Sequence, residues 1–319
     1  MLEITMRHLT TLFDVTSAEL SEILKIAHHL KRLWTTGKRP PLLAGRVLAL
    51  LFEKPSLRTR VSFEAGITQL GGSAMFLGQE VGWQKREKTS DFIQVLGQYT
   101  DFIVCRTFSH DSIRELASFN AVPIINGLSD LAHPCQAIAD LMTMQELSTS
   151  VAGKQLTFVG DGNNVSRSLA LMCAMSGIKF RLLGPESHFI ENNWLERIAA
   201  RYPHADILQT SDKTLGMHGA DFVYTDVWVS MGQEEETQQR LKLFQPYQVN
   251  AELMNLAKPN AKVLHCLPAH REEEVTAEVI DGANSAIIAQ AGNRMHAQKG
   301  LLVWLARELG WIDAAAIQN

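Results

Sequence analysis

This sequence predicts an α/β protein of two domains, each a parallel sheet flanked by helices. Three observations carry that reading. Short apolar runs alternate with stretches of helical period, the alternation occurs in two separate series, and a helical stretch joins them. At 319 residues the chain also exceeds what one hydrophobic core comfortably organises.

Taken in order, Thr16-Ser17-Ala18-Glu19 reads as a capping box ahead of an amphipathic helix over 19–33. After the Pro40-Pro41 turn, strands are predicted at 47–52, 74–77, 102–106 and 122–126, with helices at 57–70, 90–98 and 111–118. Residues 134–147 form the linking helix, with Pro134 at its first helical position. The second series begins after Gly153, with strands predicted at 155–159, 179–183, 222–225, 262–265 and 286–290. A last amphipathic stretch, 293–309, ends at Gly310 and is long enough to pack back across both halves. The expected division is therefore 1–147 and 148–319, with helix 293–309 returning to the first domain and an active-site cleft between the two.

Composition narrows the function. Apolar content of 46% and charged content of 20% are ordinary for a globular chain, and the net charge is −4. No basic stripe is present to displace counterions, which argues against nucleic acid. No apolar run approaches the roughly 20 residues that span a bilayer, and residues 1–14 lack the basic and apolar regions of a signal peptide. Cys105, Cys135, Cys173 and Cys266 are scattered without CxxC spacing, so no zinc site or disulfide framework is signalled and a reducing cytoplasm is expected. His265 and His270 flank Cys266 at a spacing unusual for metal ligands.

In parallel sheets, ligands sit beyond the carboxyl ends of the strands. The stretch 49–64, ALLFEKPSLRTRVSFE, hands a buried strand to a helix through Pro55. The free N–H groups and dipole of such a helix start favour an anion. Ser56, Arg58, Thr59 and Arg60 crowd the same turn, and a guanidinium matches phosphate through paired donors. Alone, this would read as an N-cap with two solvated arginines. Arg106 at the end of a second strand and His133 at a helix start converge on the same rim, offering donors for phosphate and for a carbonyl oxygen gaining charge.

In the second half, Gly160-Asp161-Gly162 follows a strand and opens a helix, which tempts a dinucleotide reading. The third glycine is missing and Glu186 is the only nearby acid after the next strand, so an NAD-dependent oxidoreductase is a remote alternative. Asp226 and His265-Cys266-Leu267-Pro268 also lie at strand ends. An acid on this rim and cations on the first suggest an amine substrate meeting an anionic one.

Five segments then appear in an order that resembles the ornithine carbamoyltransferase branch of the aspartate/ornithine carbamoyltransferases. They are Phe52–Arg60 (FEKPSLRTR), His133–Gln136 (HPCQ), Asp226–Gly232 (DVWVSMG), His265–Pro268 (HCLP) and Asn293–His296 (NRMH). The resemblance implies transfer of a carbamoyl group from carbamoyl phosphate to the δ-amine of L-ornithine, in arginine biosynthesis or arginine catabolism. It also implies homotrimers or multiples of trimers with shared active sites, and no metal or organic cofactor. By position, Ser56, Leu57 through its backbone N–H, Arg58 and Thr59 would hold the phosphate. Arg106 and His133 would share phosphate and carbonyl oxygen, Gln136 would lie near the carbamoyl amide, and Arg294 with the Cys266-Leu267 backbone would complete that pocket. Asn164, Asp226, Ser230 and Met231 would hold the ornithine backbone, with Cys266 near the δ-nitrogen; Arg106, His133, Cys266 and Thr59 carry the catalytic roles. Two departures are visible. Leu57 stands where the family often has Thr. In the loop 78–87, which lends a donor to the neighbouring subunit, the matching position is Gly82, leaving Trp83, Gln84 or Lys85 as substitutes. An N-acylated ornithine or putrescine is the alternative acceptor.

Overall fold

The computed structural model describes residues 6–83, 85–229, 237–313 and 315. The chain divides into two compact units, one made of residues 1–142 with 293–319 and the other of Thr143–Gly292.

In the first unit, strands β1 (Val47–Phe52), β2 (Ser73–Leu77), β3 (Phe102–Arg106) and β4 (Ile124–Leu128) form a parallel sheet in the order β2-β1-β3-β4. The run VLALLF is buried almost throughout, as expected of an interior strand covered on both faces. Helices α1 (Ser17–Thr35), α2 (Leu57–Gln69), α3 (Thr89–Tyr99) and α4 (His110–Ser118) accompany the sheet. The capping box forms as expected: Thr16 Oγ1 accepts from the Glu19 N–H and the Glu19 carboxylate accepts from the Thr16 N–H. Such a cap contributes about 1 kcal/mol. Helix α5 (Pro134–Leu147) spans the residue at which the two units divide.

The second unit carries β5 (Gln155–Val159), β6 (Lys179–Leu183), β7 (Ile207–Thr210), β8 (Phe222–Thr225) and β9 (Lys262–His265), parallel in the order β7-β6-β5-β8-β9. Helices α6 (Asn164–Ser176), α7 (Asn192–Arg201), α8 (Lys213–Met217), α9 (Thr237–Phe244), α10 (Ala251–Met254) and α11 (Ala277–Ile280) join the strands. The last helix, α12 (Ile287–Glu308), packs from Asn293 onward in the first unit. Two glycines permit this. A Cβ on Gly300 would lie 2.6 Å from the Ile23 carbonyl of α1, and one on Gly66 of α2 would meet Lys299 Cγ at 3.3 Å.

Three expectations are corrected. The apolar run 286–290 opens α12 and is not a strand; a short apolar run does not by itself distinguish the two, and Ile288 is 75% exposed. The fourth strand starts at Ile124, two residues late, because Pro123 has no N–H for the ladder. Strand β7 was not anticipated: four half-buried residues on a sheet edge leave no alternation to read.

Candidate active site

Both sheets reverse their strand order at one point, between β1 and β3 in the first and between β5 and β8 in the second. Crevices at such points are where ligands enter open α/β sheets. Each of the two predicted constellations lies at one of them.

In the first unit, β1 ends at Phe52 and α2 begins at Leu57, with Ser56 as its N-cap. Ser56 Oγ accepts from the Thr59 N–H at 3.2 Å, leaving the first N–H groups of the helix for another acceptor. Leu57 points outward, 73% exposed. Arg60 departs from expectation: it pairs with Glu64 one turn on, at 2.9 Å, and lies over the Phe76 ring. Arg58 is the guanidinium left at the turn.

Beneath that turn lies a buried relay. Arg294 of α12 donates to Gln136 Oε1 at 2.6 Å and to Thr59 Oγ1 at 3.0 Å. Gln136 in turn donates to the buried Asp140 at 2.8 Å. Since the Thr59 hydroxyl accepts from Arg294, its own proton is left to donate elsewhere. Arg106 reaches the rim through a register shift between Cys105, paired with Asn126, and Arg106, paired with Leu128. The skipped residue is Gly127, where a Cβ would meet Val104 Cγ1 at 2.9 Å and Thr59 Cγ2 at 3.3 Å. Only glycine lets β4 and the head of α2 approach this closely.

The electrostatics are cationic. His133, at the head of α5, is buried, and burial together with Arg294 and Arg106 holds its pKa well below the usual value, so it is neutral at pH 7. Lys54 was missed by sequence reasoning. It is buried, lies over Phe108, and its pKa is lowered by burial and by Arg106 against the pull of Asp130 and Glu53. Asp140 was missed too, although its position four residues after Gln136 on one helix was a signal. In the loop 78–87, Trp83 is buried and stacked on Phe92 within the core. Gly82 is buried with φ +69°, Lys85 is exposed, and Gln84 lies outside the described residues.

In the second unit, Asp226 follows β8 and Cys266 follows β9. Asp226 Oδ1 accepts from Cys266 Sγ at 3.0 Å and from the Val227 N–H at 2.9 Å, while Oδ2 accepts from Asn163 Nδ2 at 3.1 Å. Asn163 also N-caps α6 through the Val165 and Ser166 N–H groups, so the expected Asn164 is joined by a neighbour the sequence reading passed over. Arg240 of α9 donates to Asp161 and, at 2.6 Å, to the Trp228 carbonyl. It ties the loop after β5 to the loop after β8. Ser230 and Met231 lie outside the described residues.

Asp226, His265 and Cys266 bring one potential metal-binding atom each within 4.8 Å. The hydrogen bonds oppose that use of His265. Its Nδ1 accepts from the Leu267 N–H at 2.9 Å, which places the proton on Nε2, 3.1 Å from Glu274, and leaves no lone pair for an ion. Leu267 holds the left-handed φ of +61° that this contact accompanies.

Comparison with known proteins agrees with this geometry. Residues 7–146 match the family model for the aspartate/ornithine carbamoyltransferase carbamoyl-P binding domain, and residues 152–305 match that for the Asp/Orn binding domain. The chain is 48% identical to the ornithine carbamoyltransferase of Bacillus thuringiensis subsp. konkukian over 95% of each chain. It is likewise 48% identical to that of Listeria monocytogenes serovar 1/2a, over 93% of this chain and 94% of the relative. Among solved structures, the ornithine carbamoyltransferase of Pyrococcus furiosus superposes with a TM-score of 0.91 at 41% identity, covering 98% of this chain and 100% of that one. With two matched domains, two switch-point constellations and relatives aligned almost end to end, the chain belongs to the aspartate/ornithine carbamoyltransferase family.

Proposed function

We propose that this protein transfers the carbamoyl group of carbamoyl phosphate to the δ-amine of L-ornithine, giving L-citrulline and phosphate. The observation that carries the choice of acceptor is Asp226, a carboxylate at the β5/β8 switch point held by Asn163 and Cys266. An anionic anchor suits an α-ammonium group. A dicarboxylate acceptor would need cations, yet Arg167 is paired with Glu191 and Arg240 with Asp161.

On this reading Ser56, the Leu57 N–H, Arg58 and Thr59 hold the phosphate of the donor. Arg106, His133 and the Thr59 hydroxyl face the carbonyl oxygen, and Gln136 with Arg294 orients the carbamoyl amide. Asn164, Asp226, Ser230 and Met231 hold ornithine, with Cys266 near its δ-nitrogen. The amine has an ordinary pKa near that of lysine, about 10.4, so making it neutral at pH 7 costs roughly 4–5 kcal/mol. Desolvation and a nearby guanidinium reduce that cost. The neutral nitrogen then forms a bond to the carbonyl carbon, the oxygen takes up negative charge, and collapse breaks the bond to the phosphate oxygen. The departing phosphate accepts the proton released by nitrogen. A neutral His133 fits this scheme as a hydrogen-bonding group that needs no proton exchange.

A homotrimer or multiple of trimers with shared sites follows from the same reading, with exposed Lys85 as the residue offered to a neighbouring subunit. Four cysteines outside any disulfide suit a cytoplasmic setting, and no helix among the described residues is long and apolar enough to cross a membrane. The test is a colorimetric assay for ureido product with carbamoyl phosphate and, in turn, ornithine, acetylornithine, putrescine and aspartate. Product with ornithine above all others supports the assignment; preference for any other acceptor overturns it.

A further inference from the structure

Gln136 and Asp140 stand four residues apart on α5, and so on one face of that helix. Both are shut off from solvent, Asp140 at 0% and Gln136 at 1% exposure. Gln136 is held at both ends of its amide. Its Nε2 donates to Asp140 Oδ1 at 2.8 Å, and its Oε1 accepts from Arg294 at 2.6 Å. A guanidinium only donates and a carboxylate oxygen accepts, so the two partners agree on which way round the amide lies.

That agreement has a geometric consequence. An amide held at one atom can still turn about the contact; held at oxygen and at nitrogen, its plane is set. The Gln136 carbonyl oxygen has two lone pairs, and Arg294 takes one of them. The direction of the other is then fixed by Asp140 as much as by Arg294. Arg294 spans from Gln136 to Thr59 Oγ1, at 3.0 Å, which brings the amide beside the turn assigned to phosphate. A buried acceptor in that place separates an N–H from a methyl group. The first satisfies it, and the second leaves it unmet.

We propose that Asp140 is a positioning residue for donor specificity. By accepting from Gln136 Nε2 it aims the Gln136 carbonyl at the NH2 of a carbamoyl group, and so selects carbamoyl phosphate over an acyl phosphate that ends in a methyl. The proposal rests on the transfer reading, in which Gln136 lies beside the carbamoyl amide.

Two stable phosphonates that differ only at this point test it by calorimetric titration of the intact protein: phosphonoacetamide, with NH2, and acetonylphosphonate, with CH3. The unaltered protein is expected to favour the amide by about tenfold or more. Asp140→Leu, similar in shape but without an acceptor, should cut that ratio by about fivefold or more, while Asp140→Asn, which keeps a carbonyl, should hold it within about twofold. A role in stability alone would lower Tm or weaken both ligands together, with the ratio unmoved. No preference in the unaltered protein, an unchanged ratio in folded Asp140→Leu, or a ratio in Asp140→Asn as low as in Asp140→Leu would overturn the proposal. If Asp140→Leu does not fold, a crystal structure of the unaltered protein with phosphonoacetamide decides. The ligand nitrogen within hydrogen-bond distance of Gln136 Oε1, with Nε2 still on Asp140, supports the proposal; an amide turned away from either overturns it. A protein that prefers phosphonoacetamide through Asp140 yet forms no ureido product from ornithine would support the positioning role and count against the transfer reading alone.

Discussion

Thr59 shows how one side chain is prepared for two tasks. Its hydroxyl accepts from Arg294 and its N–H is taken up by Ser56, so the hydroxyl proton is left to donate to another acceptor. Arg294 also fixes Gln136, and removing it would loosen both. Arg294→Met is accordingly expected to lower kcat by about 10²–10³-fold, the cost of an oxyanion-type donor, as read by steady-state kinetics. Arg106→Ala should lose at least as much; a near-normal kcat would remove it from the catalytic set. Asp226→Asn belongs to the other half of the chemistry. It should raise KM for ornithine and leave that for carbamoyl phosphate nearly unchanged, and equal loss of both would contradict the division of labour between the two constellations. Of these residues the sequence showed types and positions, but not partners. The hydrogen bond from Arg294 to Thr59 joins positions 235 apart, and no local pattern announces it.

Between the elements, two contacts set the geometry of the strand ends. Gly127 lets β4 and the head of α2 approach within a distance that a methyl group would occupy. Gly127→Ala should cost about 1–3 kcal/mol of stability in urea unfolding and raise KM for carbamoyl phosphate, because Val104 must shift and Thr59 Cγ2, next in reach, is pressed with it. Arg240 does the corresponding work in the second unit, joining the loop after β5 to that after β8. Its replacement in Arg240→Gln leaves a carboxylate and a carbonyl short of their partner. The expected readout is a KM for ornithine raised about tenfold or more, with the carbamoyl phosphate KM held. Element type was largely legible, since β1, β3, β5, β6, β8 and β9 have the boundaries expected of them. The failures at β7 and at residues 286–290 share a cause: four or five residues do not contain a period.

For the molecule as a whole, buried neutral histidines set the acid limit of stability. His133 and His296 both have pKa values held below normal, the latter down to about 3, by burial and neighbouring cations. Below the unfolded value of about 6.5, the unfolded chain binds protons that the native state does not, so stability present above that pH is lost as pH falls. His133 alone contributes a slope of up to about 1.4 kcal/mol per pH unit. Carboxylates such as Glu22, held down by its bond to Arg307, and Asp206, by its bond to Arg181, act only at lower pH. Urea unfolding should therefore show stability falling between about pH 6.5 and 5; a flat profile there would show that these histidines are protonated in the fold.

The sequence by itself determined the two parallel sheets, the strand ends at which polar residues gather, and the five segments that carry the family likeness. Those are local matters of period, turn and residue order, and they are written where they act. Only the tertiary structure decided that Arg294 bonds Thr59, that Trp83 goes inward and that Asn163 joins Asp226. The physical reason is that a side chain's partner is chosen by which distant backbone happens to lie within a few ångströms, and strand order and helix packing fix that distance.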